Sequence, residues 1–160
     1  MGRRIDYYDD PAAPAANSIR PSAGAFVQRD GKILLIQRSD NGNWSMPGGA
    51  QDPGESLTHT AVRETLEESG IQVRVTGLVG IFTDPRHVVH YTSNDEVRQE
   101  FTVIYRAEYL DGDPIVSDES TRVGWFTPEK VADLPMDPSQ RKRLDWAISQ
   151  KDPYIDPEGD

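Results

Sequence analysis

The 160-residue chain carries 27 acidic against 17 basic residues, a formal net charge of −10, with 36% hydrophobic residues and a mean hydropathy of −0.65; this suits one domain with one core and a polar surface. It contains no cysteine, which excludes disulfides, thiolate metal sites and cysteine nucleophiles. The longest aliphatic run, Ile33-Leu34-Leu35-Ile36, is far short of a ~20-residue bilayer span, and the scattered basic residues offer no concentrated face for a nucleic-acid polymer.

In chain order, no apolar stretch follows Arg3-Arg4, so no secretory signal is read and a cytoplasmic setting is expected. Residues 9–17 are rich in proline and alanine, and residues 1–18 are read as an N-terminal arm. With Tyr7, Tyr8 and Ile19 flanking it, this arm is suited to exchange with a second copy, which makes a homodimer one expected state. Residues 19–150 form the expected domain and 151–160 a flexible tail.

Strands at Ala23–Gln28 and Lys32–Gln37 flank Asp30-Gly31, a strong hairpin signal. Asp40-Asn41-Gly42-Asn43 forms a turn, and Pro47-Gly48-Gly49 and Asp52-Pro53-Gly54 punctuate an irregular loop. A helix follows over Leu57–Ser69, with Ser56 as N-cap and Gly70 as its stop. Val73–Thr83, Val97–Leu110 and Val123–Phe126 read as strands. Pro138–Ser149 is the last helix, bearing Leu144, Trp146 and Ile148, with Leu144 and Trp146 assigned to the core. Strands interspersed with two helices indicate an α/β or α+β domain.

The Leu57–Ser69 helix places Glu64, Glu67 and Glu68 at i, i+3 and i+4, on one side, and Val62 and Leu66 opposite, toward a core. Like charges at this spacing oppose the helix by roughly 0.2–0.5 kcal/mol per pair. A solvated acidic face is the plain reading of such a pair. Three neighbours argue for more: Glu55 adds a carboxylate from the preceding loop, Arg63 can orient Glu67, and Gly48-Gly49 lets backbone come close. Carboxylates with a carbonyl form a hard-oxygen donor set of the kind Mg²⁺ or Mn²⁺ prefers.

Gly49, Glu55, Arg63-Glu64-Thr65-Leu66-Glu67-Glu68, Ser69, Gly70 and Ile71 together resemble the Nudix box, and Trp44-Ser45-Met46-Pro47-Gly48-Gly49 resembles the lead-in to it. Thr65 departs from the aliphatic residue usual there. The resemblance extends over about residues 20–149. It implies an α/β/α sandwich with a mixed sheet and a loop-helix-loop catalytic motif. It further implies a divalent cation held by the Gly48 carbonyl and by Glu64, Glu67 and Glu68, with Arg63 positioning a glutamate. The activity implied is hydrolysis of the diphosphate bond of a nucleoside diphosphate linked to another group. Glu64 and Glu119, the latter ahead of Trp125, are the two candidates for the catalytic base.

Among substrates, ADP-ribose or a nucleotide sugar leads and oxidised nucleoside triphosphates follow; Pro85, fifteen residues past Gly70, resembles the ADP-ribose branch. Arg38, Trp44, Glu55 and Arg86 are the weaker substrate-binding candidates. His87, His90 and Tyr91 could meet a base or ribose, although no further ligands make His87 and His90 a zinc pair. A nucleotide-sensing module without catalysis is the rival reading. It is disfavoured because Glu55, Glu64, Glu67 and Glu68 are all present. An isoprenoid-diphosphate isomerase would need a cysteine.

Overall fold

The computed structural model describes residues 2–159. Its strands are β1 (Arg4–Tyr8), β2 (Ser18–Ile19), β3 (Ser22–Arg29), β4 (Lys32–Arg38), β5 (Trp44–Ser45) and β6 (Gly48–Ala50). After helix α1 (Leu57–Ser69) come β7 (Gln72–Phe82), β8 (His87–Tyr91), β9 (Glu96–Gln99), β10 (Thr102–Asp111) and β11 (Ser120–Phe126). Helices α2 (Pro128–Asp133) and α3 (Pro138–Ser149) and strand β12 (Tyr154–Ile155) complete the chain.

The main sheet runs β11-β4-β3-β10-β7-β12 and is mixed: β10 lies parallel to β3, β12 parallel to β7, and the other neighbours are antiparallel. Side-chain alternation along β3 assigns its two faces. Ala25 and Val27 join Leu34, Ile71, Val73 and Ala107 in a core with Val62 of α1 packed against it, whereas Phe26 joins Ile33, Leu35, Val79, Phe82 and Ile104 with Val131 of α2 and Leu144 of α3. Helices therefore cover both faces. This is the expected α/β/α sandwich.

Asp30 and Gly31 both have positive φ, 51° and 76°, as a two-residue hairpin turn requires. Beyond it β3 and β4 pair at only two positions, Gln28↔Ile33 and Arg29↔Lys32, and then separate. The gap is filled by the following loop, with β5 pairing to β4 and β6 to β3. A cavity opens at this splayed end.

Four sequence expectations need correction. Segments read as an arm and a flexible tail both contain strands. β1 pairs antiparallel with β8, β2 pairs parallel with β9, and these four form a second sheet in the order β1-β8-β9-β2; β12 extends the main sheet. The single strand expected at Val97–Leu110 is two strands in different sheets. The break falls at Glu100-Phe101, where Glu100 turns inward to accept from the Asp84 N–H and pair with Arg143. Residues 87–91, outside every expected strand, form β8. Finally, α1 buries Thr60, Ala61, Thr65, Glu68 and Ser69, and its Leu66 is 42% exposed. Small residues let the helix lie close to β3, and the Thr60, Thr65 and Ser69 hydroxyls donate to the carbonyls four residues back, leaving no unmet polar group. In α3, Leu144 is fully buried, Trp146 packs edge-on to Tyr154, and Ile148 faces outward.

Candidate active site

Helix α1 begins where Ser56 accepts from the His59 N–H and ends where Gly70, at φ 78°, donates to the Leu66 carbonyl. These caps fix where its glutamates emerge. Carboxylate oxygens of Glu64, Glu68 and Glu119 all lie within 4.8 Å of one another. Two backbone features make the gathering possible. A Cβ at Gly49 would sit 2.5 Å from the Glu64 carboxyl carbon, and one at Gly48 would sit 2.7 Å from the Ala23 carbonyl oxygen, so only glycine lets β6 pass between helix and sheet. The loop bearing Glu119 is clasped to the helix end, the buried Ser120 hydroxyl donating to the Glu68 carbonyl at 3.0 Å and the Ser39 N–H to the Glu119 carbonyl at 3.2 Å.

The three carboxylates differ in surroundings. Glu68 is 7% exposed and accepts one hydrogen bond, 2.8 Å from the Gly48 N–H. Burial, reinforced by the neighbouring Glu64 and Glu119 charges, pushes its pKa up to about 8 despite that bond. Glu64 is also raised, by burial first and then by Glu67 and Glu119, with Arg63 opposing. Glu119 is the exposed member.

Arg63 is the organiser. Its Nε and Nη2 grip Glu55 at 2.5 and 2.9 Å, Nη1 donates to Glu64 at 2.9 Å and to Glu67 at 3.2 Å, and Nη2 reaches the Ala50 carbonyl at 3.2 Å. Glu55 also accepts from the Asp52 N–H and the Thr60 hydroxyl, and the Arg63 hydrogen bonds in particular hold its pKa down to about 2. Glu55 is thus a structural anchor for the arginine and lies outside the cavity lining. Glu67 stands on the exposed side of α1, outside the group of three.

The cavity measures about 410 Å³, and Glu68, Glu119, Gly48 and Gly49 line it. Arg38 lines it too, but is paired with Asp40 at 2.5 Å and with Asp137 at 3.6 Å. Trp44 is not available to a base: 3% exposed, it packs edge-on to Phe126 inside the core. Arg86 also lies outside the lining and bonds Asp84. His87 is buried between Glu100 and Asp6 and stacked on Tyr8 at 4.4 Å. His90 pairs with Asp95. Tyr91 does reach the cavity. No local pattern marks Arg4, Arg20, Arg98, Glu100, Gln140 and Arg143, lining residues that come from elements far apart in the chain.

A helix-covered mixed sheet with a glycine-flanked carboxylate cluster presents a donor set suited to the hydrolysis of phosphoric anhydrides. The chain belongs to the Nudix family: residues 18–147 match the family's NUDIX domain model. It is 32% identical over 133 residues to a MutT-like protein of Streptomyces ambofaciens, covering 83% of this chain and 79% of that one. It is 32% identical over 125 residues to a putative 8-oxo-dGTP diphosphatase of Bacillus subtilis, covering 76% of each. The crystal structure of a MutT NUDIX hydrolase from Burkholderia pseudomallei superposes with a TM-score of 0.63 at 29% identity, over 81% of this chain and 98% of that one. The chain is accordingly a Nudix pyrophosphohydrolase.

Proposed function

We propose that this enzyme hydrolyses the diphosphate bond of a nucleoside diphosphate linked to another group, with a divalent cation, Mg²⁺ or Mn²⁺, at the carboxylate cluster. The observation that carries this reading is the meeting of Glu64, Glu68 and Glu119 within 4.8 Å. The residues fit such a cation: their donors are all hard oxygens, and Glu68 is buried beside two like charges with a single N–H as partner. Glu64, Glu68 and Glu119 would hold it, beside the Gly48 N–H that bonds Glu68. Bound there, the cation would neutralise the charge that builds on the phosphoryl oxygens.

The chain's own groups supply the rest. Glu119 lines the cavity, is exposed and hangs on a loop, whereas Glu64 is outside the lining and held by Arg63. Glu119 is therefore assigned as the base that takes a proton from water as its oxygen bonds to phosphorus, while the bridging P–O bond breaks and the phosphate leaves with the electron pair. Arg63 acts as a positioning residue for Glu64 through its grip on Glu55.

The test is a panel of ADP-ribose, nucleotide sugars and nucleoside triphosphates incubated in ¹⁸O-labelled water with and without Mg²⁺. Mg²⁺-dependent release of labelled phosphate product is expected from at least one group. Equal turnover in excess chelator would reject the cation. Glu119→Gln should lower kcat by about 10²- to 10⁴-fold, and an unchanged kcat would return the base to Glu64.

A further inference from the structure

The cavity has a second charged wall, away from the carboxylate cluster in the chain and built by the smaller sheet. Arg4 of β1, Arg98 of β9 and Arg20, just ahead of β3, all line it. Tyr91 of β8 lines it as well; it is the cross-strand partner of Arg4, and the Arg98 guanidinium lies 4.4 Å from its ring centre. Each arginine has a carboxylate partner: Asp6 at 3.2 Å from Arg4, Glu96 at 2.8 Å from Arg98, Asp52 at 3.8 Å from Arg20. Among the described residues none of these three carboxylates lines the cavity. The nearest counter-charge of each guanidinium thus stands outside the lining, while Arg4 also feels the more distant Asp40, which lines the cavity.

Planar guanidiniums with free donors, anchored by strands and backed by acids, suit an anionic oxygen cluster. Arg38 and Arg143, the other lining arginines, pair with acids that line the cavity themselves, Asp40, Asp137 and Glu100, and so present no such surplus. Arg4 also lies ahead of residues 18–147, the part shared with the family.

We propose that Arg4, with Arg98 and Arg20, forms a specificity wall that selects substrates carrying a phosphate beyond the diphosphate that is cut, and that the N-terminal strand is the element that completes it. This rests on the hydrolase reading above. A nucleoside triphosphate offers such a group; in ADP-ribose the diphosphate is flanked on each side by an uncharged ribose, one of them bearing adenine. The wall therefore favours the former.

The experiment compares kcat/KM for a nucleoside triphosphate with that for ADP-ribose in the full chain, in Arg4→Gln and in Arg4→Lys. Reading both substrates on one preparation cancels any change in folded fraction. The full chain is expected to favour the triphosphate. In Arg4→Gln the ratio should fall about tenfold, the size of one lost charge-assisted hydrogen bond, mainly through KM for the triphosphate. Arg4→Lys should restore most of it. A ratio unchanged in Arg4→Gln, or a full chain that prefers ADP-ribose, overturns the proposal while leaving the hydrolase reading intact. A full chain that cleaves neither, or any other nucleotide of the panel, overturns both.

Discussion

Glu68→Gln removes one charge and keeps the shape, including an acceptor for the Gly48 N–H. In the cation-free protein, burial and two neighbouring carboxylates lift the Glu68 pKa from 4.5 to about 8. A raised folded-state pKa means the protonated form is the one folding favours. Its contribution is complete below pH 4.5 and is lost as pH rises through about 8. At pH 7 the folded protein has to keep the proton or bear the buried charge; at ~1.4 kcal/mol per tenfold in proton affinity, the penalty from 4.5 to 7 is roughly 3 kcal/mol. Water access and relaxation make this a ceiling. For a chain of this size each kcal/mol moves Tm by about 2–4 °C, so the variant should melt up to roughly 6–12 °C higher at pH 7 in chelator. The wild-type Tm should decline from pH 5 to 8 relative to the variant. Mg²⁺ should raise the wild-type Tm and leave the variant's nearly unmoved, and turnover of the variant should fall by about two orders of magnitude or more. Melts followed by circular dichroism at pH 5, 7 and 9, with chelator or Mg²⁺, read all of this. Parallel pH profiles for the two proteins, or equal Mg²⁺ shifts, would refute the reasoning.

Gly49→Ala should displace the Glu64 carboxylate, whose carbon stands 2.5 Å from the added methyl; kcat is expected to drop about 10²-fold, checked by steady-state kinetics. Arg63→Lys keeps the charge but loses the two-pronged grip on Glu55. Turnover should fall at least about tenfold with the melting curve little changed, and wild-type kinetics would argue against a positioning role. Arg143→Met strips the buried Glu100 of its cation at 2.5 Å and should cost about 3–5 kcal/mol in urea unfolding. Its acid limb carries the sign. Burial alone would raise the Glu100 pKa, but His87, Arg143 and the Asp84 N–H hold it down to about 2. Its stabilising contribution is therefore present above pH 4.5 and fades as pH falls toward 2 in the wild type, and the fading should begin at higher pH in the variant.

The catalytic helix was legible because its signals are local: a cap, a glycine stop and charges at helical spacing within fifteen residues of chain. The same locality made the hairpin at Asp30-Gly31 readable. Leu66 is expected to face the core because hydropathy ranks it by transfer energy, whereas the close approach of α1 to β3 selects small side chains such as Thr65 that settle their own hydroxyls. The second sheet was invisible for another reason. Its β1 and β2 are short and pair with strands some 80 residues away, at Arg4↔Tyr91 and Ser18↔Arg98, and no local pattern encodes such a partner. Thr127-Pro128 does carry a readable helix start for α2, a capping hydroxyl that accepts from the Lys130 N–H followed by proline. Trp44 was read as a potential stacking platform from its place beside a turn, but the splaying of β3 from β4 folds that turn inward.

Glu100 sits at the corner where the chain leaves one sheet for the other, tied to the turn before β8, to His87 and to α3. That corner behaves as a keystone: the layer bearing Arg4 and Arg98 cannot tilt against the layer bearing the glutamates without pulling a buried ion pair apart. The spacing between the two walls of the cavity is thereby held fixed.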